Sequence, residues 1–399
     1  MRILLVGIGG VFNYGCEAIV RGTVAMLRTK LPQAAIFYAS LDYDRDRKAL
    51  GDLDIQIVDV NMKKHTSRWL VERVRRRLGL GIKLGPWYPS LFPPCDVALS
   101  IGGDIYTIDA NTVPAGYRHS LVEMGEHLIA KGIDYVLWGA SVGPFTQHPE
   151  IEAYYRRHLQ KCALITARED ITKGYLDRLG CAHVAEVADP AFFMAPAARF
   201  PDVPAKIAKT RIGLNLSRLS IAQRYPREEW SRQEFRIVES IRALAAIPDV
   251  EILLIPHVQP GDQSADDDCA FLEDIQRQVG GDNLRLLPPG LGAPRTKRII
   301  AECDLLIAAR MHCAIAGCSS GVPTLFLAYS SKALGMAEYV YGHRRFCLRL
   351  DEIDGAQLVA KAREIQSHSA EISARLKDRL ATWQSEALAA VDALLKATS

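Results

Sequence analysis

Residues 302–338 have the sequence ECDLLIAARMHCAIAGCSSGVPTLFLAYSSKALGMAE, in which short apolar runs alternate with polar turns. The runs at 305–308 and 324–327 are typical of strands that are buried on both faces of a parallel sheet. The segment between them is predicted to be a helix, and a second helix is predicted after the second run. We therefore predict a strand–helix–strand–helix unit of a parallel α/β sheet.

Polar side chains follow both predicted strands. Arg310 and His312 come after the first strand, and Tyr329 and Lys332 come after the second. In open parallel sheets, ligands bind outside the carboxyl ends of the strands. Two cations and an imidazole at this edge indicate an anionic ligand with acid–base chemistry beside it. A lone histidine is more often structural, and it is the two nearby cations that favour a functional His312.

Composition limits the class of protein. A chain of 399 residues predicts two domains, and a net charge of +3 argues against a nucleic-acid partner. The nine cysteines are scattered and contain no CxxC pair, which is typical of buried thiols in a reducing compartment. We find no zinc motif, no secretory signal and no apolar run of about 18 residues, so we expect a cytoplasmic protein without a metal site.

The chain opens with a predicted strand at 2–7, which leads into a glycine-rich turn and a helix. Backbone N–H groups at such a helix start can hold an anion. The dinucleotide fingerprint GxGxxG is broken, because Phe12 stands where its third glycine belongs, and this argues against a nicotinamide cofactor. A tight turn explains the glycines equally well, whereas Asn13, Tyr14 and Glu17 in the same turn favour a binding role.

Further candidates end other predicted strands. Asp104 and Asp109 follow the strand near 96–101, where a carboxylate can accept from sugar hydroxyls or act as a base, although a turn-forming Asp104 is equally consistent. Arg168 follows another strand and can bind phosphate or carboxylate, with a salt bridge to a neighbouring acid as the alternative. His257 ends a strand of the second half and is a weaker candidate, for which a structural hydrogen bond is the stronger interpretation.

Residues 63–84 form a basic amphipathic segment with eight Lys/Arg, one Glu and interleaved apolar residues. Such a segment can lie on an anionic membrane surface, where each cation contributes roughly 1 kcal/mol. The alternative is a solvated helix whose apolar stripe packs on its own domain. We keep both interpretations. The first predicts that the protein makes peripheral contact with the inner membrane surface.

Strand–helix alternation along the whole chain predicts two doubly wound, Rossmann-like α/β domains that face each other across a cleft. The pattern loosens between 188 and 210, where four prolines interrupt it. We therefore place the N-terminal domain at 1–195, the C-terminal domain at 205–375 and a C-terminal helix at 376–399.

Six short motifs follow one another along the chain: Asn13-Tyr14-Gly15-Cys16-Glu17-Ala18, Gly102-Gly103-Asp104, Ala167-Arg168-Glu169, Asp189-Pro190-Ala191-Phe192, Arg310-Met311-His312-Cys313-Ala314 and Tyr329-Ser330-Ser331-Lys332. In this order they resemble the polysaccharide pyruvyl transferase family, and the resemblance extends from residue 3 to about 345. Cys16 and Asp104 depart from the commoner family pattern.

The resemblance implies a fold like that of the GT-B glycosyltransferases, with the acceptor on the N-terminal domain and the donor on the C-terminal one. It also implies transfer of pyruvate from phosphoenolpyruvate to a sugar or lipid-linked glycan, with formation of a ketal and release of phosphate. Phosphoenolpyruvate would be the donor substrate, and no cofactor is expected.

The same resemblance implies roles for the candidate residues. Arg168, Arg310 and Lys332 fit the need to bind the carboxylate and phosphate of the donor. His312 would be the acid, and Asp104 or Glu17 would take the hydroxyl proton or orient the sugar. Two other functions use the same fold: a glycosyltransferase that takes a sugar nucleotide, and a carbohydrate-binding protein without activity.

Overall fold

The computed structural model describes residues 1–61, 67, 70–71, 74, 86–108, 117–200, 203–329 and 331–398, without the side chain of Ser331. The chain divides into two compact units. Unit 1 comprises Met1–Val11, Ile19–Phe193 and Ser385–Ser399, and unit 2 comprises Phe12–Ala18 and Met194–Gln384.

Unit 1 is built on a seven-stranded parallel sheet. Its strands are β1 (Arg2–Val6), β2 (Ala35–Ser40), β3 (Gln56–Asp59), β4 (Val97–Ile101), β5 (Asp134–Ala140), β6 (Leu164–Ala167) and β7 (Val184–Glu186). Their order in the sheet is β3-β2-β1-β4-β5-β6-β7. The helices are α1 (Tyr14–Lys30), α2 (Tyr43–Leu50), α3 (Ser120–Ile129), α4 (Pro149–Leu159) and α5 (Asp170–Arg178), and the first turn of α1 is grouped with unit 2.

Unit 2 is built on a six-stranded parallel sheet. Its strands are β8 (Thr210–Asn215), β9 (Val250–Leu254), β10 (Leu284–Leu286), β11 (Leu305–Ala308), β12 (Thr324–Ala328) and β13 (Cys347–Arg349), in the order β10-β9-β8-β11-β12-β13. The helices are α6 (Arg218–Arg224), α7 (Trp230–Ala245), α8 (Asp268–Val279), α9 (Ala293–Ile300), α10 (Met311–Cys318), α11 (Ser331–Tyr341), α12 (Gly355–Ser367) and α13 (Ser369–Ala397).

The central strands are mostly apolar, as expected for strands of a parallel sheet whose two faces are both covered by helices. The strands β4, β9, β11 and β12 are buried at every position. These are the runs from which the sequence predicts strands, and the doubly wound α/β architecture is confirmed for both units.

Each sheet has a point where the chain reverses its direction of travel across the strands. This point lies between β1 and β4 in unit 1, and between β8 and β11 in unit 2. The loops that leave two such neighbouring strands diverge to opposite faces of the sheet, and the crevice between them is where doubly wound sheets bind ligands.

Two segments group with the unit that does not contain their immediate neighbours in sequence. Residues 12–18 group with unit 2, although in sequence they follow residues 1–11 of unit 1, which include the first strand. The C-terminal helix α13 is continuous from Ser369 to Ala397, and its last residues group with unit 1. Among the described helices, none is long and apolar enough to cross a membrane.

Candidate functional site

The candidate site lies in unit 2, at the carboxyl ends of β8, β9 and β11. Arg310 and His312 stand at the start of α10, directly after β11. His257 follows β9, and Asn215 is the last residue of β8. Because β8 and β11 are the neighbours at the reversal point, these residues lie where open parallel sheets bind ligands.

The first turn of α1 belongs to the same site, because its backbone packs on the imidazole of His312. A Cβ placed on Gly15 would lie 2.5 Å from Nδ1 and 2.8 Å from Cβ of His312, which is too close for any side chain. Glycine is therefore required at this position by the close approach. Asn13 fixes the turn, since its Oδ1 accepts the backbone N–H of Gly15 at 2.9 Å.

Backbone hydrogen bonds fasten residues 12–18 to the loop after β9. The N–H of Tyr14 donates to the carbonyl of His257 at 2.9 Å, and the N–H of Gln259 donates to the carbonyl of Phe12 at 3.0 Å. The rings of Tyr14 and His257 also meet edge to face, with centroids 5.8 Å apart. Residues 12–18 are thus hydrogen-bonded to the loop after β9 while Gly15 packs on His312, which follows β11.

His257 is buried close to His312 and Arg310. Burial, with smaller contributions from the charges of these two neighbours, lowers the pKa of His257 to about 3. The imidazole of His257 is therefore neutral at physiological pH, and it does not add a cation to the site.

Arg310 is bound by two carboxylates. Its Nη2 donates to Oδ1 of Asp266 at 2.7 Å and to Oδ1 of Asp268 at 2.8 Å. Its backbone N–H donates to Oδ1 of Asn215 at 2.8 Å. The sequence predicts Arg310 as a donor-binding cation, but here its charge is already compensated, and its contacts fix the turn that carries His312.

Asp268 is the buried centre of this network, and the sequence-based candidates do not include it. Its Oδ2 accepts the backbone N–H groups of His257 and Val258, both at 3.0 Å, while Oδ1 binds Arg310. Burial raises the pKa of Asp268, and Arg310 opposes that rise. The carboxylate therefore joins the loop after β9 to the loop after β11, and the DQSADDD run at 262–268 was the available signal.

Glu17 caps a helix within unit 2. Its carboxylate is buried, and Oε2 accepts the backbone N–H of Ala293, the first residue of α9, at 2.7 Å. A carboxylate at a helix N-terminus satisfies an otherwise unpaired N–H group and is favoured by the helix dipole. This geometry favours a structural role for Glu17 over the proton-accepting role that the sequence leaves open.

Arg168 lies in the interior of unit 1. Its Nη1 donates to Oδ2 of buried Asp189 at 2.7 Å, and its Nη2 donates to Oδ1 of Asp104 at 2.7 Å. Burial opposes the charge of Arg168, but the two carboxylates outweigh it and raise its pKa. This burial argues against direct donor contact, and it makes Arg168 a residue that positions the half-exposed carboxylate of Asp104.

The remaining candidates fall into two groups. Tyr329 and Lys332 are half-buried and follow β12, the neighbour of β11, so they lie at the same sheet edge as His312. Asp109 lies outside the described residues. Within the described part of the chain, no group of three or more His, Cys, Asp or Glu side chains is placed to hold a metal ion.

Comparison with known proteins gives a family and a fold. The model of the polysaccharide pyruvyl transferase family matches residues 13–331. A search of curated protein sequences found no match. Similar solved structures include UDP-GlcNAc 2-epimerase from Neisseria meningitidis bound to UDP-GlcNAc, at 12% identity and a TM-score of 0.58, covering 99% of this chain and 100% of that one.

A second similar structure is the glycotransferase of kitacinnamycin, at 14% identity and a TM-score of 0.56, covering 99% of this chain and 98% of that one. At these identities the likeness concerns the fold alone. It confirms the predicted GT-B-like architecture of two parallel α/β units.

Proposed function

Because the chain belongs to the polysaccharide pyruvyl transferase family, we propose that it transfers the pyruvyl group of phosphoenolpyruvate to two neighbouring hydroxyls of a sugar. The sugar belongs to a cell-surface glycan or to its lipid-linked precursor. The product is a pyruvate ketal, and phosphate is released. Phosphoenolpyruvate is the donor substrate in this proposal, which includes no further cofactor.

The observation that carries the proposal is the packing of His312 on Gly15. Both residues lie in the part of the chain that matches the family, although 297 positions separate them in sequence. The side chain of His312 is held from one side by a turn that admits no Cβ. A fixed imidazole at the carboxyl edge of a parallel sheet is suited to proton transfer in a bound substrate.

The reaction needs a proton at C3 of the enol, which converts the methylene to a methyl group and leaves positive charge at C2. One sugar hydroxyl adds to C2 and loses its proton. Departure of phosphate restores the positive charge at C2. The second hydroxyl then adds to C2 and loses its own proton, which closes the ketal. Histidine can deliver the first proton near neutral pH.

We assign this proton to Nε2 of His312. The atoms of His312 nearest to a Cβ on Gly15 are Nδ1, Cγ and Cβ, so the Nδ1 edge of the ring faces the turn. The opposite ring nitrogen is then directed away from that turn, which supports its use toward substrate.

Charge on the donor is met by Lys332 in this proposal. Lys332 lies in the first turn of α11, at the sheet edge that carries His312, and an ammonium there can bind a phosphate or carboxylate. Arg310 acts mainly through the turn it fixes, because Asp266 and Asp268 already bind its guanidinium. On the acceptor side, Asp104 is the carboxylate proposed to orient the sugar.

Phosphate release from phosphoenolpyruvate, measured against a panel of free and lipid-linked glycans, tests the reaction. We expect release that depends on acceptor and that His312→Ala abolishes. The control is His183→Ala, an exposed histidine of unit 1, which should retain activity. His312→Ala should keep the circular dichroism spectrum and thermal midpoint of the parent protein.

Donor binding distinguishes the proposal from its alternatives. Phosphoenolpyruvate should raise the thermal midpoint, whereas UDP- and GDP-sugars should not. The reverse result would replace the proposal with a sugar-nucleotide glycosyltransferase. Absence of phosphate release with every acceptor would favour a binding protein without activity, and near-normal turnover by His312→Ala would remove the histidine from the mechanism.

A further inference from the structure

An exposed apolar face lies within the basic segment of residues 63–84. Ser67, Leu70, Val71 and Val74 are helical, and their spacing of i, i+3, i+4 and i+7 places them on one face of a helix. Leu70, Val71 and Val74 are 57%, 55% and 48% exposed. These exposures argue against packing of these three side chains on their own domain.

The other large exposed hydrophobic side chains of the described residues are dispersed in sequence. They are Met1, Ile171, Ile207 and Phe235. Ile171 follows Glu169 and Asp170, and Phe235 follows Glu234, so acidic residues adjoin two of them. Single exposed hydrophobic residues are ordinary on protein surfaces, whereas three within five positions form a patch.

The charge around the patch is also distinctive. Residues 63–84 contain eight Lys/Arg and one Glu, although the whole chain has a net charge of only +3. An apolar helical face within a cationic segment is complementary to an anionic phospholipid surface, where the face enters the headgroup region and the cations meet phosphates.

We propose that the helical face of Leu70, Val71 and Val74 docks the protein on an anionic phospholipid membrane. It deepens the proposed function, because a membrane surface is where a lipid-linked acceptor would be presented. The docking itself does not depend on transfer activity, so the two proposals are tested separately.

Vesicle co-sedimentation of the full chain tests the docking. Binding to phosphatidylglycerol-rich vesicles should exceed binding to pure phosphatidylcholine vesicles and should fall as salt is raised. Leu70→Ser, Val71→Ser and Val74→Ser combined should weaken the binding by about tenfold or more, because the apolar face is lost. The matched control combines Ile171→Ser, Ile207→Ser and Phe235→Ser, which removes comparably exposed side chains and should leave vesicle binding unchanged.

A charge variant tests the other half of the argument. Arg75→Gln, Arg76→Gln and Arg77→Gln combined should weaken binding by about a hundredfold, or roughly fivefold for each cation. Equal binding to both vesicle types, or undiminished binding by the apolar variant, would overturn the proposal. A mass in solution that falls when the apolar variant is made would also overturn it, since the occupant of the face would then be a second copy of the chain.

Activity on a soluble acceptor separates the two proposals. If the apolar variant loses vesicle binding and still releases phosphate with a free sugar, membrane docking is supported and the reaction is unaffected. If vesicle binding persists while no acceptor yields phosphate, docking is supported and only the proposed reaction fails.

Discussion

Lys297 provides a quantitative test of the packing in unit 2. It lies in α9, is 2% exposed, and its Nζ donates to the carbonyl of Met194 at 2.6 Å. Burial lowers the pKa of Lys297 from 10.5 to about 7. The shift corresponds to about 4 to 5 kcal/mol of unfavourable free energy for the charged form, at roughly 1.4 kcal/mol per unit. At neutral pH and below, the folded protein therefore carries most of this penalty.

The sign of the pH dependence follows from the direction of the shift. Between pH 7 and pH 10.5 the unfolded chain keeps a proton on Lys297 that the folded chain has released. Stability therefore rises with pH through this window, by about 1.4 kcal/mol per pH unit from this residue. The penalty is fully present below pH 7 and is relieved as the pH approaches 10.5.

Lys297→Met removes the titrating group while keeping an apolar side chain of similar length. At pH 6.5 the variant should be more stable by about 1 to 4 kcal/mol, because the relieved penalty of about 4 to 5 kcal/mol exceeds the roughly 1 to 3 kcal/mol lost where the carbonyl of Met194 loses its donor. That advantage should shrink by about 1.4 kcal/mol for each pH unit between 7.5 and 9.5.

Urea denaturation of both proteins at several pH values measures this difference. Groups that titrate in both proteins cancel in the comparison. Lys361→Met, at a lysine of α12 that is partly exposed, reports the effect of removing a lysine from a surface position. A stability difference between Lys297→Met and the parent that does not change from pH 7 to pH 9.5 would refute the reasoning.

Three further predictions concern the site and its supports. Gly15→Ala should lower the rate of phosphate release about a hundredfold, because the new Cβ displaces the imidazole of His312. The control Gly9→Ala, where a Cβ has open space, should leave the rate unchanged, and equal rates in the two variants would contradict the contact between Gly15 and His312. Glu17→Ala should lower the free energy of unfolding by about 1 to 3 kcal/mol through the lost helix cap, measured by denaturation, and an unchanged stability would count against that role. Arg168→Met should lower the free energy of unfolding by about 3 to 5 kcal/mol, because it leaves Asp189 charged and buried, and adding Asp189→Asn should recover part of this loss in the same assay. No recovery would show that the two residues are not coupled.

The fold was predictable because its signals are local. The apolar runs at β9, β11 and β12 match the length and composition of strands that are covered on both faces, and the polar turns after them mark the strand ends. The edge strands β7 and β13 escaped prediction, since each has only three residues and one of the three is charged.

The site was only partly predictable, because its decisive contacts join distant parts of the chain. The sequence places Arg310 and His312 at one strand end, as observed. It gives no sign that Gly15 packs on His312, because that approach depends on tertiary placement of a turn. Nor does it pair Arg310 with Asp268, since a run of aspartates after a strand has the composition of an ordinary surface loop.

The grouping of residues 12–18 with unit 2 has a consequence for genetic dissection of the protein. A gene fragment that starts at Met194 would encode every strand of the second sheet and still lack the glycine turn that abuts His312. Inactivity of such a truncated product would reflect the missing peptide as much as the missing first sheet. Expression trials should therefore graft this heptapeptide back, or retain the entire chain, before assigning chemistry to either half.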